Sequence, residues 1–555
     1  MKRDKCFKRA IPSLAVAAAL GAMGLPAAHG AEDGASVAAA GDFKFALSGY
    51  ARAWVSMNLE DTDELRALPK NKGKKDGAGQ LSMVRGSVLL DADASMGGLK
   101  GKVIARLDKE YKTNYLQDLE DLRKVSNGLN GNGALPTAGG KSITDNYNNF
   151  DIREFWIEAP IGDRTTVKFG RQQLVWGESD FFHAMDLVHG YDLSWRLFFE
   201  GENEEWRKPL ILLSTKIRIP EANGLVAAYI RPGWDRCTDI GNTYDFRGGR
   251  WFVAPYRGFD ALGTHVNNLN CENPDNDKPT YGIRWQGEAY GVNYSIAYLK
   301  AHSADPVANS VYVPLYHNKD GTSKVPTGIV SDLIHPEIDV FGATVSGYSE
   351  SMDSVLSAEV AFTKDQPYNV GTGAFFADGV NPGIGLGGIK KKDTLTMMLR
   401  ADKNLHFENI LGTTRPSFSS VQLFNTTVLG YHRSDDLARL FFEGAPLKEN
   451  NTILTAFTVL NYRNDEINPS FAIGFDLGNG GGFAIPAVGM TFGDKWLAKL
   501  EADIFWDDGK TNRQQFGGQN GTGSSGSTNR PGKNSQLFGW FSGASQLALR
   551  VTRQF

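Results

Sequence analysis

From residue 43 onward, apolar and polar side chains take turns along the chain, and this alternation recurs in segments of strand length. In the stretch 43–59, Phe45, Leu47, Val55 and Met57 fall on one side and Lys44, Ser48, Arg52 and Ser56 on the other. A period of two sends successive side chains to opposite faces of an extended strand. The run is too long for most strands of soluble sheets and matches a tilted membrane strand. Segment 81–94 repeats it, with Val84, Val88, Leu90 and Ala92 opposed to Arg85, Ser87, Asp91 and Asp93. A Met96-Gly97-Gly98 turn leads into 102–111, whose wet face carries Arg106, Asp108 and Glu110. The clearest strand is 495–506: Trp496, Ala498, Leu500, Ala502, Ile504 and Trp506 share one face, and Lys495, Lys499, Glu501 and Asp503 the other. Its two tryptophans are spaced to meet the two aromatic belts of a bilayer.

After a polar connection rich in Gly and Asn that reaches about Asn149, further strands are predicted at 152–159, 165–174, 209–219, 223–231, 280–288, 290–299, 337–346, 353–363, 393–402, 418–430, 451–462, 469–478, 483–492 and 546–555. Tyr290, Val292, Tyr294, Ile296 and Tyr298 form a second aromatic row. Tight turns such as 162–164, 221–224 and 493–495 alternate with long connections such as 232–279, 301–336 and 507–544. Short turns at one end and long loops at the other distinguish an outer-membrane barrel from a sandwich. The expected fold is all-β: a closed antiparallel transmembrane barrel of about 18 strands with long extracellular loops, one folded inward. The connection between 402 and 418 is the least defined.

The final segment, 546–555, sets Leu547, Leu549, Val551 and Phe555 against Gln546, Ala548, Arg550, Thr552 and Gln554. A last strand ending in Phe555 resembles the closing strand of a bacterial outer-membrane barrel, which implies that Phe555 is the insertion signal. Arg553 breaks the pattern on the apolar side, where snorkelling at the interface holds its cost to about 0–1 kcal/mol, against about 2–4 kcal/mol at the midplane.

At the other end, Lys2, Arg3, Lys5, Lys8 and Arg9 precede an apolar run from Ile11 to Leu25, and Ala28 and Gly30 flank a cleavage site before Ala31 or Glu32. Residues 1–31 therefore read as a secretory signal peptide, 32–42 as a short periplasmic segment and 43–555 as the barrel. Cys6 leaves with the signal, and Cys237 and Cys271 are expected to form a disulfide in an oxidising compartment, worth about 2–4 kcal/mol. A hydrophobic content of 41% and a mean hydropathy of −0.32 resemble those of a soluble protein, but alternating strands hide a membrane barrel in such averages. The net charge of −4 and the absence of a basic block argue against a nucleic-acid partner.

With this phase the lumen receives Arg52, Arg85, Arg106, Arg284, Arg400 and Arg550 together with Asp108, Glu110, Glu501 and Asp503. Both signs interleave, which points to a lining of paired charges rather than a filter for one sign of ion. A barrel of this size leaves an aqueous channel unless something fills it. The expected filler is the connection 176–209, too aromatic for a solvated loop: Trp176, Phe181, Phe182, Trp195 and Phe199 would line a substrate path beside Arg171, Glu178, Asp180 and Arg196.

The run G-R-Q-x-x-x-W-G-E-S at 170–179 and the aromatic, Asp-rich connection after it resemble a family of proteobacterial outer-membrane proteins catalogued as a domain of unknown function. The resemblance implies a barrel in the outer membrane of a Gram-negative bacterium, among lipid and lipopolysaccharide and delivered by the barrel-assembly machinery. Members tend to occur alongside hydrophobic-compound transporters of the resistance-nodulation-division type, so such a transporter or a periplasmic protein is a further partner to expect. No catalytic motif stands out: G-x-G-x-x-G at 383–388 leads into a strand, and H-E-x-x-H and G-x-S-x-G are absent. No enzyme activity, cofactor or metal is expected, and His183 and His189 read as lumen or surface residues. The expected function is a channel passing small amphipathic or hydrophobic molecules through a loop-constricted lumen; the alternative is the outer-membrane partner of a trans-envelope export system.

Overall fold

A computed structural model describes residues 43–62, 65–66, 68–129, 142–179, 182–192, 203–233, 250, 265–267, 278–303, 307–313, 316–317, 323–325, 328–370, 388–435, 437–439, 445–478, 480–506, 541 and 543–555. The signal peptide, the 32–42 segment, Cys237 and Cys271 lie outside them.

Eighteen strands build the wall: β1 (Lys44–Asn58), β2 (Leu81–Met96), β3 (Leu99–Glu110), β4 (Asn149–Ile161), β5 (Thr165–Gln172), β6 (Leu210–Ile219), β7 (Gly224–Arg231), β8 (Thr280–Ala289) and β9 (Val292–His302). They continue with β10 (Glu337–Ser349), β11 (Ser354–Val370), β12 (Ile389–Leu405), β13 (Ser417–Val428), β14 (Asn450–Val459), β15 (Ile467–Asp476), β16 (Gly482–Phe492), β17 (Trp496–Trp506) and β18 (Gln546–Gln554). Each pairs antiparallel with the next, and β18 closes on β1 from Tyr50↔Gln554 to Asn58↔Gln546. In hydrocarbon every backbone N–H and C=O needs a protein partner, and a closed ring supplies it without leaving an edge.

Alternation then decides which side chains meet lipid. Ile157, Phe169, Ile211, Ile283, Ile296, Phe341, Leu399 and Leu500 are exposed on the outer wall, whereas Arg52, Arg85, Arg106, Arg284, Thr344, Glu359 and Glu501 on the inner face are buried. A wall that is apolar outside and polar inside is an outer-membrane barrel. On β17 the Trp496 and Leu500 side chains are exposed outward, and Arg553 lies over the Trp496 ring at 5.8 Å. A cation on an indole face at the interface is the physical form of the snorkelling that Arg553 required.

Three departures from the sequence reading have local causes. The polar connection after β3 contains a helix, α1 (Asn114–Leu129), whose Tyr115, Leu116, Leu119 and Leu122 pack on Leu65, Leu68, Ile143 and Tyr147 in a small apolar core of their own. Tyr290 heads the β8–β9 turn at positive φ instead of continuing the tyrosine row. The undefined stretch after residue 402 is β12 running to Leu405, one helical turn at Glu408–Leu411, and β13 starting at Ser417.

Candidate functional site

The described parts of the 173–209 connection, residues 173–179, 182–192 and 203–209, lie against the inner wall of the barrel on both sides. The connection's first arm docks on an apolar stretch of the inner wall. Trp176, Met185 and Val188 pack against Leu210 and Leu212 of β6, Tyr229 of β7, Ala297, Leu299 and Ala301 of β9, and Ile338 and Val340 of β10. Trp176 meets Tyr229 edge-on, with centroids 5.4 Å apart. Gly342 opens a socket for Met185: a Cβ there would stand 1.8 Å from the Met185 sulfur. Burying side chains of this size contributes about 1.5–3 kcal/mol each, which explains why an aromatic loop seeks this wall.

Between Trp176 and Met185 the polypeptide reaches β11–β14. Phe182 meets Phe424 edge-on at 5.3 Å, within a cluster that includes Ala184, Met398 and Ile453. The Glu359 carboxylate of β11 accepts the backbone N–H of Glu178 with one oxygen and that of Met185, at 3.1 Å, with the other. Arg400 of β12 donates to the Glu178 carbonyl at 2.8 Å while its Nε holds both oxygens of Asp402.

The second arm returns to the other side of the ring. Asp192 N–H donates to the Trp206 carbonyl at 2.7 Å and Lys208 N–H to the Gly190 carbonyl at 2.8 Å, so the two arms pair as a hairpin. Glu205 at its end takes two bonds from Arg52 Nη1, at 2.8 and 2.9 Å, and one from the Tyr50 hydroxyl at 3.0 Å. Arg106 donates to the Glu205 carbonyl at 3.0 Å and Arg153 to the Arg207 carbonyl at 2.9 Å. The strap is thus anchored to β1, β3 and β4 at one end and to β11–β14 at the other, nearly opposite parts of the ring.

At its centre lies a buried polar knot. Asp186 pairs with Arg207 and accepts the Tyr191 hydroxyl at 2.8 Å, and His183 stacks on Tyr191 at 4.3 Å. His189 accepts the Leu174 N–H at Nε2 (2.8 Å) and faces the Lys208 carbonyl with Nδ1 (2.9 Å), an arrangement that only the neutral Nδ1–H tautomer satisfies. Burial pushes both imidazoles down from 6.5 to about 4. Burial pushes the Asp186 carboxyl up, but the Arg207 guanidinium, helped by the two imidazoles, outweighs it and leaves that carboxyl below its usual range.

Of the residues expected to line a path, Trp176 is buried against the wall, Phe182 is half-buried, and Glu178 keeps an exposed side chain on the strap. Arg171 lies in register with Phe155, on the outward side of β5, and is tied to Asp151 at 2.9 Å and to the Ile152 carbonyl at 2.7 Å; it braces the rim. Asp180, Phe181, Trp195, Arg196 and Phe199 fall outside the described residues.

The expected inner charges face inward and engage neighbours. Arg85 pairs with Glu110 at 2.8 Å, Arg106 with Asp108 at 2.9 Å, and Lys499 with Glu501 at 2.8 Å. Asp503 accepts Gln546 at 2.7 Å, Arg284 reaches the Val175 carbonyl at 3.5 Å, and Arg550 lies 5.2 Å from the Trp54 ring.

Sequence reasoning missed Glu359, Asp186, Tyr191 and Arg207. Glu359 looks like any other inward carboxylate, because its partners are backbone amides more than 170 positions away. One signal was available: one end of β6, β9 and β10 is apolar on the inward row as well as the outward one, at Leu210, Leu212, Leu299, Ala301, Ile338 and Val340, and such a stretch marks a wall that something must cover.

A family profile described as "Protein of unknown function (DUF1302)" matches residues 10–517. No curated protein matches the sequence. Among solved structures, the chain is similar to OmpF of Salmonella typhi in complex with daunomycin (10% identity, TM-score 0.39, 93% of this chain and 98% of that one). It is also similar to OpdK of Pseudomonas aeruginosa with vanillate (8%, 0.42, 92% and 98%) and to OccAB1 of Acinetobacter baumannii (10%, 0.43, 94% and 99%).

Replacing Glu359 with Leu should leave the Glu178 and Met185 amides without their acceptor, at about 1–3 kcal/mol. Hydrogen exchange at those two amides should then quicken roughly 10- to 100-fold, and unchanged rates would show that Glu359 does not hold the strap. Docking should also weaken with acid. The two imidazoles take a proton near pH 4 in the fold and near 6.5 in the released chain. Their contribution is therefore whole above about pH 6.5 and lost as pH falls toward about 4. Exchange protection of segment 183–192, corrected for intrinsic rates, should drop between pH 7.5 and 4.5; constant protection would refute the assignment.

Proposed function

This chain belongs to the DUF1302 family, and for it we propose the role of an outer-membrane channel through which small amphipathic molecules diffuse past the strap. The observation that carries this reading is the strap itself, a folded segment anchored to nearly opposite walls. A barrel of eighteen strands is wide enough for an aqueous lumen, and a fixed crosspiece converts that lumen into a narrower passage with its own chemistry.

Among the described residues of the strap, Trp176, Met185 and Val188 are committed to the wall. The edge nearest β12 keeps the exposed Glu178 beside the Arg400–Asp402 pair and the half-buried Phe182. Both signs of charge next to an aromatic edge favour solutes that have a polar end and an apolar body, and they disfavour selection by charge alone. Diffusion through such a passage needs no energy input and no covalent step.

Deleting residues 181–199 should raise single-channel conductance in a planar bilayer several-fold and abolish discrimination between amphipathic and purely ionic permeants. Unchanged conductance in a correctly folded deletion variant would overturn the strap as the constriction.

A further inference from the structure

We propose that the outer wall between β14 and β18 holds one acyl chain of a surrounding bilayer lipid in a groove built around a missing rung at Pro486. This inference is independent of the channel reading.

The groove has a volume of about 380 Å³ and is lined by Pro469, Phe471, Pro486, Leu500, Ala502 and Leu547, among others. All six lie on the outward side of their strands, by register with exposed Phe471, Leu500 and Leu549. The recess forms because the small Ala502 and the compact ring of Pro486 oppose each other between the larger Phe471 and Leu500 side chains.

The backbone beneath it is also exceptional. On the β15 side Pro486 pairs in register with Phe471, but on the β17 side pairing runs Gly482↔Trp506, Phe483↔Phe505 and Ala484↔Ile504 and resumes at Ala487↔Glu501. Proline has no N–H to offer Ala502 at the position between them. The wall is therefore one rung short inside the membrane-spanning layer, where an unsatisfied backbone group is costly.

Depth identifies the occupant. Ala502 lies on β17 between Trp496 and Trp506, the aromatics at its two ends, so the groove opens near the middle of the hydrocarbon layer. What reaches that depth from outside is a lipid chain. In the recess the chain gains dispersion contacts on several sides that a smooth wall does not offer, and the two prolines keep the recess from collapsing. The shared chemistry also fits an apolar face of a second copy of this barrel, and the experiment separates the two.

The full-length barrel would be reconstituted into phosphatidylcholine vesicles that contain a trace of the same lipid with a photoreactive diazirine midway along one acyl chain. After illumination, labelled residues would be mapped by mass spectrometry. Label should concentrate on the segments around Phe471, Pro486 and Ala502, and Ala502→Trp should cut it there roughly tenfold. Ala343→Trp, an outward position on β10, should leave it unchanged. If Ala502→Trp fails to insert, Ala502→Leu fills the same recess with a smaller change. Label spread evenly around the belt, or insensitive to filling the groove, would overturn the proposal. Cross-links from these residues to another copy of the chain in place of lipid would overturn it as well.

Discussion

Hydrocarbon offers no hydrogen bonds to a peptide group, and a polypeptide that lies in it must satisfy its backbone within itself. In this chain that requirement is met by joining the last strand to the first: Gly49 N–H donates to the Phe555 carbonyl and Phe555 N–H to the Gly49 carbonyl, both at 3.0 Å, below the register that zips β18 to β1. Arg52 adds a side-chain bond across the same seam, from Nε to Thr552 Oγ1 at 3.0 Å. Once the ring is closed the remaining features follow as consequences of which side of it a group can occupy. Apolar side chains that point outward are solvated by lipid, while those that point inward need a cover.

The strap is that cover. It lies over the apolar inner stretch formed by Leu210, Leu212, Leu299 and Val340, and its polar knot and the two latches at Glu205 and Glu359 hold it there. The same Arg52 that bonds across the closing seam receives Glu205, so the closure of the wall and the placement of the crosspiece share a residue. Charges in this interior are mostly bound to one another. A buried ion pair loses more when one partner is removed than it contributes as a pair, so truncating either member of Arg52–Glu205 or Arg207–Asp186 would leave the survivor's charge without its counter-charge and loosen the strap.

Much of the wall was legible because strands β17 and β18 carry nearly uninterrupted alternation, and because the turn lengths alternate too. The helix α1 escaped notice because its 3.6-residue spacing, Leu116, Leu119 and Leu122, sits inside a connection that ends in Gly and Asn and looks solvated throughout. Arg171 was placed in the path on composition, whereas the outward phase of Phe169 on the same strand already argued against it. The aromatic character of the 176–209 segment suggested that it needs burial, and Trp176 and Trp206 are buried, while Phe181, Trp195 and Phe199 lie outside the described residues. Its anchors were not readable, because Glu359 reaches main-chain amides, and main-chain amides have no sequence signature. The polar knot was hidden for a related reason: Asp186, Tyr191 and Arg207 meet only when the two arms fold back on each other.

The membrane-facing phase of the wall is tested most directly by two adjacent positions on β17. Leu500 points outward near mid-depth, and Lys499 points inward, where it pairs with Glu501 at 2.8 Å. In reversible folding into lipid vesicles, Leu500→Arg should cost about 2–4 kcal/mol, while Lys499→Arg should leave the folding free energy nearly unchanged. Equal and small effects at both positions would contradict a wall that is lipid on one side and lumen on the other.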